Sequence, residues 1–95
     1  MATALEQSDK RSGKRFDVSI PSRLRHGGFT QAEARLCNLS FRGFRAECGE
    51  SLRPGAFVSI DLPHIGLVRA RIAWCEAGRI GGIFLKPTDV RRCIF

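Results

Sequence analysis

The residue pattern predicts an all-β fold, a six-stranded antiparallel β-barrel with a short C-terminal helix. Three observations predict it. Apolar residues recur at every second position in six short segments, the period of a strand with one face buried. Clusters of Gly, Pro, Asn, Asp and Ser separate those segments at close spacing, as in small barrels. The chain has 95 residues, 43% of them hydrophobic, which makes a single domain able to bury a core without a disulfide or a metal.

The elements follow in order. Met1 to Asp9 are small or polar and lack periodicity, so residues 1–9 read as a flexible arm. Lys10 to Arg15 (KRSGKR) is a basic stretch leading into the domain, residues 10–95. Phe16, Val18 and Ile20 then alternate with Asp17 and Ser19. Leu24 resumes that phase beyond Pro21, which suits an edge or a bulge. His26 to Gln31 reads as a loop. Ala34 and Leu36 mark a second strand, and Phe44, Ala46 and Cys48 a third, joined by Asn38 to Gly43, a connection rich in turn formers.

Leu52-Arg53-Pro54-Gly55 turns into a fourth strand, with Val58, Ile60 and Leu62 opposite Ser59 and Asp61. Pro63 to Gly66 closes a hairpin onto Val68, Ala70, Ile72 and Trp74, whose shared phase favours the core for Trp74 over a stacking position at the rim, while Arg69 and Arg71 face water. Glu76-Ala77-Gly78 turns into the sixth strand, Ile80 to Leu85. Pro87-Thr88-Asp89 is a helix-start signal with Thr88 as the cap, and Val90, Cys93 and Ile94 follow at helical spacing. A helix of about two turns persists only by packing on the barrel, where it would plug an open end.

The net charge is +7, the pI is near 10.3, and thirteen of the sixteen basic residues are Arg. Arginine presents a planar fork of donors that matches phosphate oxygens and the O6/N7 edge of guanine, so the expected partner is an anion, and a nucleotide is one that fits. Cys37, Cys48, Cys75 and Cys93 have no metal-ligand spacing and read as small core hydrophobes. His26 and His64 read as turn residues. With no nucleophile and base pair, carboxylate dyad or metal set, the chain is expected to be neither an enzyme nor a cofactor protein. Its apolar runs fall far short of the roughly 20 residues that cross a bilayer, so no membrane insertion is expected and the compartment is read as the cytoplasm.

Two clusters carry the chemistry: Arg11-Ser12-Gly13-Lys14-Arg15, an R-x-x-x-R before the first strand, and Asn38-Leu39-Ser40-Phe41-Arg42-Gly43, an N-x-S-x-x-G between the second and third. Together with the six-strand pattern, Arg15-Phe16 entering the first strand and Ile72-Ala73-Trp74 ending the fifth, they resemble the PilZ domain, a bacterial receptor family for cyclic di-GMP. The resemblance runs from about Lys10 to Lys86. It implies a second-messenger receptor that binds cyclic di-GMP through Arg11, Arg15, Asn38, Ser40 and Gly43. Lys10, Lys14 and Arg42 would be secondary contacts.

The residue types suit that ligand. Arg11 and Arg15 offer two-point bonds to guanine or phosphate and can stack on a base. Asn38 can meet a guanine edge or hold an Asx-type turn, and Ser40 can donate to a phosphate or base oxygen. Gly43 permits positive φ or close approach of ligand to backbone. Lys10, directly before the R-x-x-x-R, is compatible with members that take up a stacked ligand pair, which leaves one or two ligands open. A folding of the arginine arm over the ligand would signal to an effector protein in motility, secretion or polysaccharide synthesis. The competing reading is a basic small barrel that binds RNA or DNA non-specifically; few aromatics are available as stacking platforms, which argues against it.

Overall fold

Six strands close into a barrel in the order β1-β2-β3-β6-β5-β4, with β4 returning to β1. The computed structural model describes residues 14–27 and 30–94. The strands are β1 (Arg15–His26), β2 (Thr30–Ser40), β3 (Gly43–Cys48), β4 (Phe57–Leu62), β5 (Gly66–Glu76) and β6 (Arg79–Phe84), followed by α1 (Arg91–Ile94). All pairings are antiparallel. Residues 1–13, which include the predicted arm and with it Lys10 and Arg11, lie outside the described residues.

The predicted alternation builds the core. Leu24, Leu36, Leu39, Ile60, Leu62, Ile72 and Ile80 are fully buried, and Phe16, Val18 and Ile20 pack partly buried against them. Burial at roughly 1.5 to 3 kcal/mol for each large aliphatic side chain is what holds the barrel closed. Pro21 pairs with Arg35 on its β2 side, whereas β4 joins β1 only at Leu24 to His26. The first half of β1 is therefore an edge toward β4, where a proline lacking N–H disrupts no ladder.

Strict alternation fails at one place in β2 and one in β5, opposite or beside strands that shift register to match. In β2, Leu36 faces Ala46 but Asn38 faces Arg45, so Cys37 is an extra residue and the inward phase passes from Leu36 to Leu39. The facing part of β1 has its own register shift between Asp17 and Ile20. In β5, Ile72 faces Gly82 and Trp74 faces Gly81, so Ala73 is extra and the inward phase passes from Ile72 to Cys75. The extra residues in β2 and β5 are β-bulges that reverse the faces of the residues beyond them, while β1 keeps its alternation unbroken. This overturns the core placement of Trp74: the side chain is 39% exposed on the outer face.

Other differences are local. Asn38 to Ser40 belong to β2 rather than to a connection, and only Phe41-Arg42 links β2 to β3. Their backbones are anchored, with the Phe84 N–H donating to the Arg42 carbonyl at 2.8 Å and the Thr88 N–H to the Phe41 carbonyl at 2.9 Å. His26 ends β1 instead of sitting in a turn, with Nε2 3.8 Å from Glu50 Oε1. His64 does occupy the β4–β5 turn, at φ 65. All four cysteines are free. Cys48 is buried and Cys75 and Cys93 pack on the core. Cys37 instead sits on the bulge, its thiol 3.4 Å from the Arg35 carbonyl oxygen.

The helix is a single turn, and its cap is Asp89 rather than Thr88. Asp89 Oδ1 accepts the N–H of Arg91, the first residue of the helix, at 3.3 Å, while the Thr88 hydroxyl donates to the Lys86 carbonyl at 3.0 Å. The Arg91 guanidinium hydrogen-bonds the same carboxylate at 2.8 and 3.0 Å and holds Asp89 below the usual carboxylate range. Val90 joins the core just before the helix, and burial pushes the Cys93 thiol up.

The β5–β6 hairpin turns through Ala77 at φ 52 and Gly78 at φ 78, between the paired residues Glu76 and Arg79. Left-handed backbone costs an alanine about 1 kcal/mol, and asparagine tolerates it better. Ala77→Asn should therefore raise the urea midpoint, a gain of about 0.5 kcal/mol, with an unchanged denaturant slope. A lowered midpoint would contradict the turn geometry.

Candidate functional site

The two sequence clusters meet because β1 and β2 are neighbours in register. Arg15 faces Ser40 directly, and Asp17 faces Asn38. From Asn38 the ladder continues to Arg45 on β3, Gly81 on β6 and Trp74 on β5. Five strands thus contribute one transverse row, Asp17-Asn38-Arg45-Gly81-Trp74, on the outer face. The bulges make this row possible, since without them Asn38 and Trp74 would continue the inward phase of Leu36 and Ile72.

A groove of about 230 Å³ lies along this row, lined by Arg15, Asn38, Ser40, Arg42, Arg45 and Trp74 together with the glycines and Ile83 of the adjoining strands. Among the described residues, Arg15, Arg42 and Arg45 make no ion pair. Three guanidinium charges therefore face an open, partly apolar surface, a setting for a ligand that carries both negative charge and flat rings. A larger hollow, about 590 Å³, lies elsewhere on the barrel and includes Glu33 and Glu47 beside Arg35 and Arg79. Its mixed charge suits an anion less well.

Hydrogen bonds set the polar groups. Asn38 Nδ2 donates to Asp17 Oδ1 at 3.0 Å. Ser40 Oγ accepts the Gly43 N–H at 3.1 Å, and lies 3.3 Å from the Gly43 carbonyl, to which its hydroxyl donates. Ser40 thereby closes the two-residue bend through its own side chain, as serine does in tight turns. Lys14 Nζ lies 5.7 Å from the centre of the Phe16 ring, a cation–π contact, and Lys14 is not among the residues lining the groove.

Glycines let the strands and rings approach closely. Gly43 does not adopt positive φ, and its hydrogen-only side faces β6, where a Cβ would strike the Gly82 carbonyl oxygen. Of the two reasons anticipated for a small residue at position 43, positive φ is therefore not the one, and strand-to-strand contact supplies a reason not foreseen. A Cβ on Gly81 would collide with the Trp74 indole, and one on Gly82 with the Phe44 ring. The indole therefore lies across the β6 backbone on the outside while Phe44 packs from the inside.

Of the residues read from the sequence as ligand contacts, Arg15, Asn38, Ser40 and Gly43 come together, and Arg42 joins them. Arg11 and Lys10 lie outside the described residues, and Lys14 lies beside the Phe16 ring rather than in the groove lining. Sequence reasoning missed Arg45, Asp17 and the outward position of Trp74. The available signals were Leu39 breaking the even phase of Ala34 and Leu36, and the Gly81-Gly82 pair marking where something large crosses the sheet. Among the described residues no cluster of His, Cys, Asp or Glu could hold a metal ion, and no helix is long and apolar enough to cross a membrane.

Comparison with known proteins agrees with this fold. The family model described as the PilZ domain matches residues 9–94. Among solved structures, the chain is similar to the crystal structure of the PilZ domain of CeSA from a cellulose-synthesizing bacterium. The TM-score is 0.65 at 18% identity, over 86% of this chain and 89% of that one. No curated protein matches in sequence.

Gly81→Ala tests the packing beneath the groove. The methyl group should displace the indole, shift the Trp74 emission to longer wavelength, and cost about 1 to 3 kcal/mol in urea unfolding. The chain has one Trp and no Tyr, so the signal is unambiguous. An unchanged spectrum would mean that the ring does not lie over Gly81.

Proposed function

The chain belongs to the PilZ domain family of cyclic di-GMP receptors, and from that premise we propose that it binds cyclic di-GMP in the groove between Arg15, the β2–β3 hairpin and Trp74. The observation that carries this reading is the register pairing of Arg15 with Ser40, which sets the last arginine of the R-x-x-x-R against the N-x-S-x-x-G bend. A single small ligand spans both.

The ligand has two phosphodiester charges and two guanines, each with an O6/N7 acceptor pair. Arg15 answers one such pair, or a phosphate, through its fork. Arg42 and Arg45 add charge at the same groove, so three cations face a dianion. Asn38 meets a guanine edge, and Trp74 offers a flat face for a base, worth about 1 to 3 kcal/mol where such stacking occurs. Ser40 and Gly43 act first by holding the bend, so their contribution is to position the backbone and the Asn38 side chain. The chemistry is recognition rather than catalysis.

Arg11 would join Arg15 as the segment before β1 folds over the ligand, with Lys10 and Lys14 supplying further charge. The resulting change of surface is what an effector protein in motility, secretion or polysaccharide synthesis would read. The site of action is the cytoplasm, where such second messengers are made.

Calorimetry with cyclic di-GMP, against GTP as control, tests the reading. Binding should be selective for the cyclic dinucleotide and should perturb Trp74 fluorescence. Arg15→Ala should weaken it roughly tenfold to a hundredfold, the worth of a charge-assisted bond. Equal or tighter binding to single-stranded RNA with steep salt dependence, and no preference for cyclic di-GMP, would replace this reading by the non-specific one.

Amide exchange of residues 8–16 tests the arm separately. Exchange there should slow on addition of cyclic di-GMP. If it is the same with and without ligand, the conformational part of the proposal fails.

A further inference from the structure

Asp17 is the one carboxylate in the transverse row, and its presence beside a site for a dianion calls for a physical reason. Attraction to phosphate is not that reason, because a carboxylate repels it. The geometry supplies another. Asp17 faces Asn38 across the β1–β2 ladder, and Asn38 Nδ2 donates to Asp17 Oδ1 at 3.0 Å.

A carboxamide is nearly symmetric in shape but not in hydrogen bonding, since one end donates and the other accepts. Left alone, Asn38 could present either end to the groove. An ionised carboxylate only accepts, so it holds the NH2 end and repels the carbonyl end. Asn38 is thereby oriented with Nδ2 toward β1 and Oδ1 as the acceptor available to a ligand.

From this we infer that Asp17 is a positioning residue that selects which edge of the base Asn38 reads. The inference rests on the cyclic di-GMP reading given above. An acceptor in that position suits the N1–H and N2–H2 donors of guanine. Adenine has an acceptor at N1 and a hydrogen at C2, so it cannot return the same pair of bonds. Arg15, on the same outer face two residues earlier, supplies the complementary donors for guanine O6 and N7 or for phosphate. Asn38 and Arg15 then read opposite hydrogen-bonding characters, and Asp17 keeps them from duplicating each other.

The test compares dissociation constants for cyclic di-GMP and cyclic di-AMP in the wild type, Asp17→Asn and Asp17→Glu, each checked for folding by circular dichroism. The two ligands carry the same phosphodiester charges. Removing the carboxylate's repulsion therefore changes both affinities alike and cancels in their ratio. Asp17→Asn lets Asn38 turn over and should lower the guanine preference about tenfold. Asp17→Glu keeps an acceptor-only partner and should retain most of the preference. An unchanged ratio in Asp17→Asn, or a wild type with no guanine preference, overturns the inference.

A second measurement needs no ligand. The side-chain NH2 resonances of Asn38 in the free protein should show slowed exchange that is lost in Asp17→Ala. If they do not respond, the hydrogen bond is not made and the inference fails on its own. If they respond but the wild type binds no cyclic di-GMP, the proposed function has failed, and the base-reading role of Asp17 falls with it.

Discussion

The arrangement of this barrel depends on interrupting the alternation of strand side chains at one level of the sheet. A strand that alternates without a break presents every second residue to the core. Asn38 would then follow Leu36 inward, and Trp74 would follow Ile72. One extra residue at Cys37 and another at Ala73 turn both outward while Leu39 and Cys75 take over the inward positions. The core remains apolar throughout, and no polar or charged side chain is buried in it among the described residues. Both requirements, a dry interior and a polar outer row, are met by the same two insertions.

Close backbone packing makes the row shallow and continuous. At Gly43, Gly81 and Gly82 the hydrogen-only positions are occupied by the Gly82 carbonyl, the Trp74 indole and the Phe44 ring respectively. Side chains there would push β3 away from β6 or lift the indole off the sheet. The groove floor is therefore backbone, and its walls are the hairpin on one side and the indole on the other. Placing a site on paired strands rather than on a long loop gives its residues fixed spacing, because each one is held by a ladder partner.

Under the proposed function, the same hydrogen bonds serve folding and recognition. Ser40 and Gly43 close the bend between β2 and β3, and the backbone of that bend is tied to Phe84 and Thr88. Asn38 is held through Asp17 before any ligand arrives. In contrast, Arg15 and Arg42 are exposed, and Arg15 stands at the start of a strand whose β4 edge carries no partner at that level. The polar reading groups are thus pre-set, while the cationic groups remain free to adjust to an incoming anion.

The six strands and their inward faces up to each bulge were legible in the residues alone, because period-two hydrophobicity and turn chemistry are local properties of a chain, whereas the meeting of the two motifs was implied by the family resemblance. Local rules also located Pro21 at an edge and His64 in a turn. They placed Trp74 in the core and Asn38 in a loop, since a phase extrapolated from Ile72 or Leu36 cannot register an extra residue whose partner lies on another strand. Asp17 looked like any solvent-facing alternate until β2 set Asn38 opposite it, and the Gly82 carbonyl that Gly43 must clear could not be seen until β6 was paired with β3. Sequence determined which residues face in or out within each unbroken strand. Tertiary structure alone decided where that alternation breaks, because a bulge is defined by the register between two strands and not by either one.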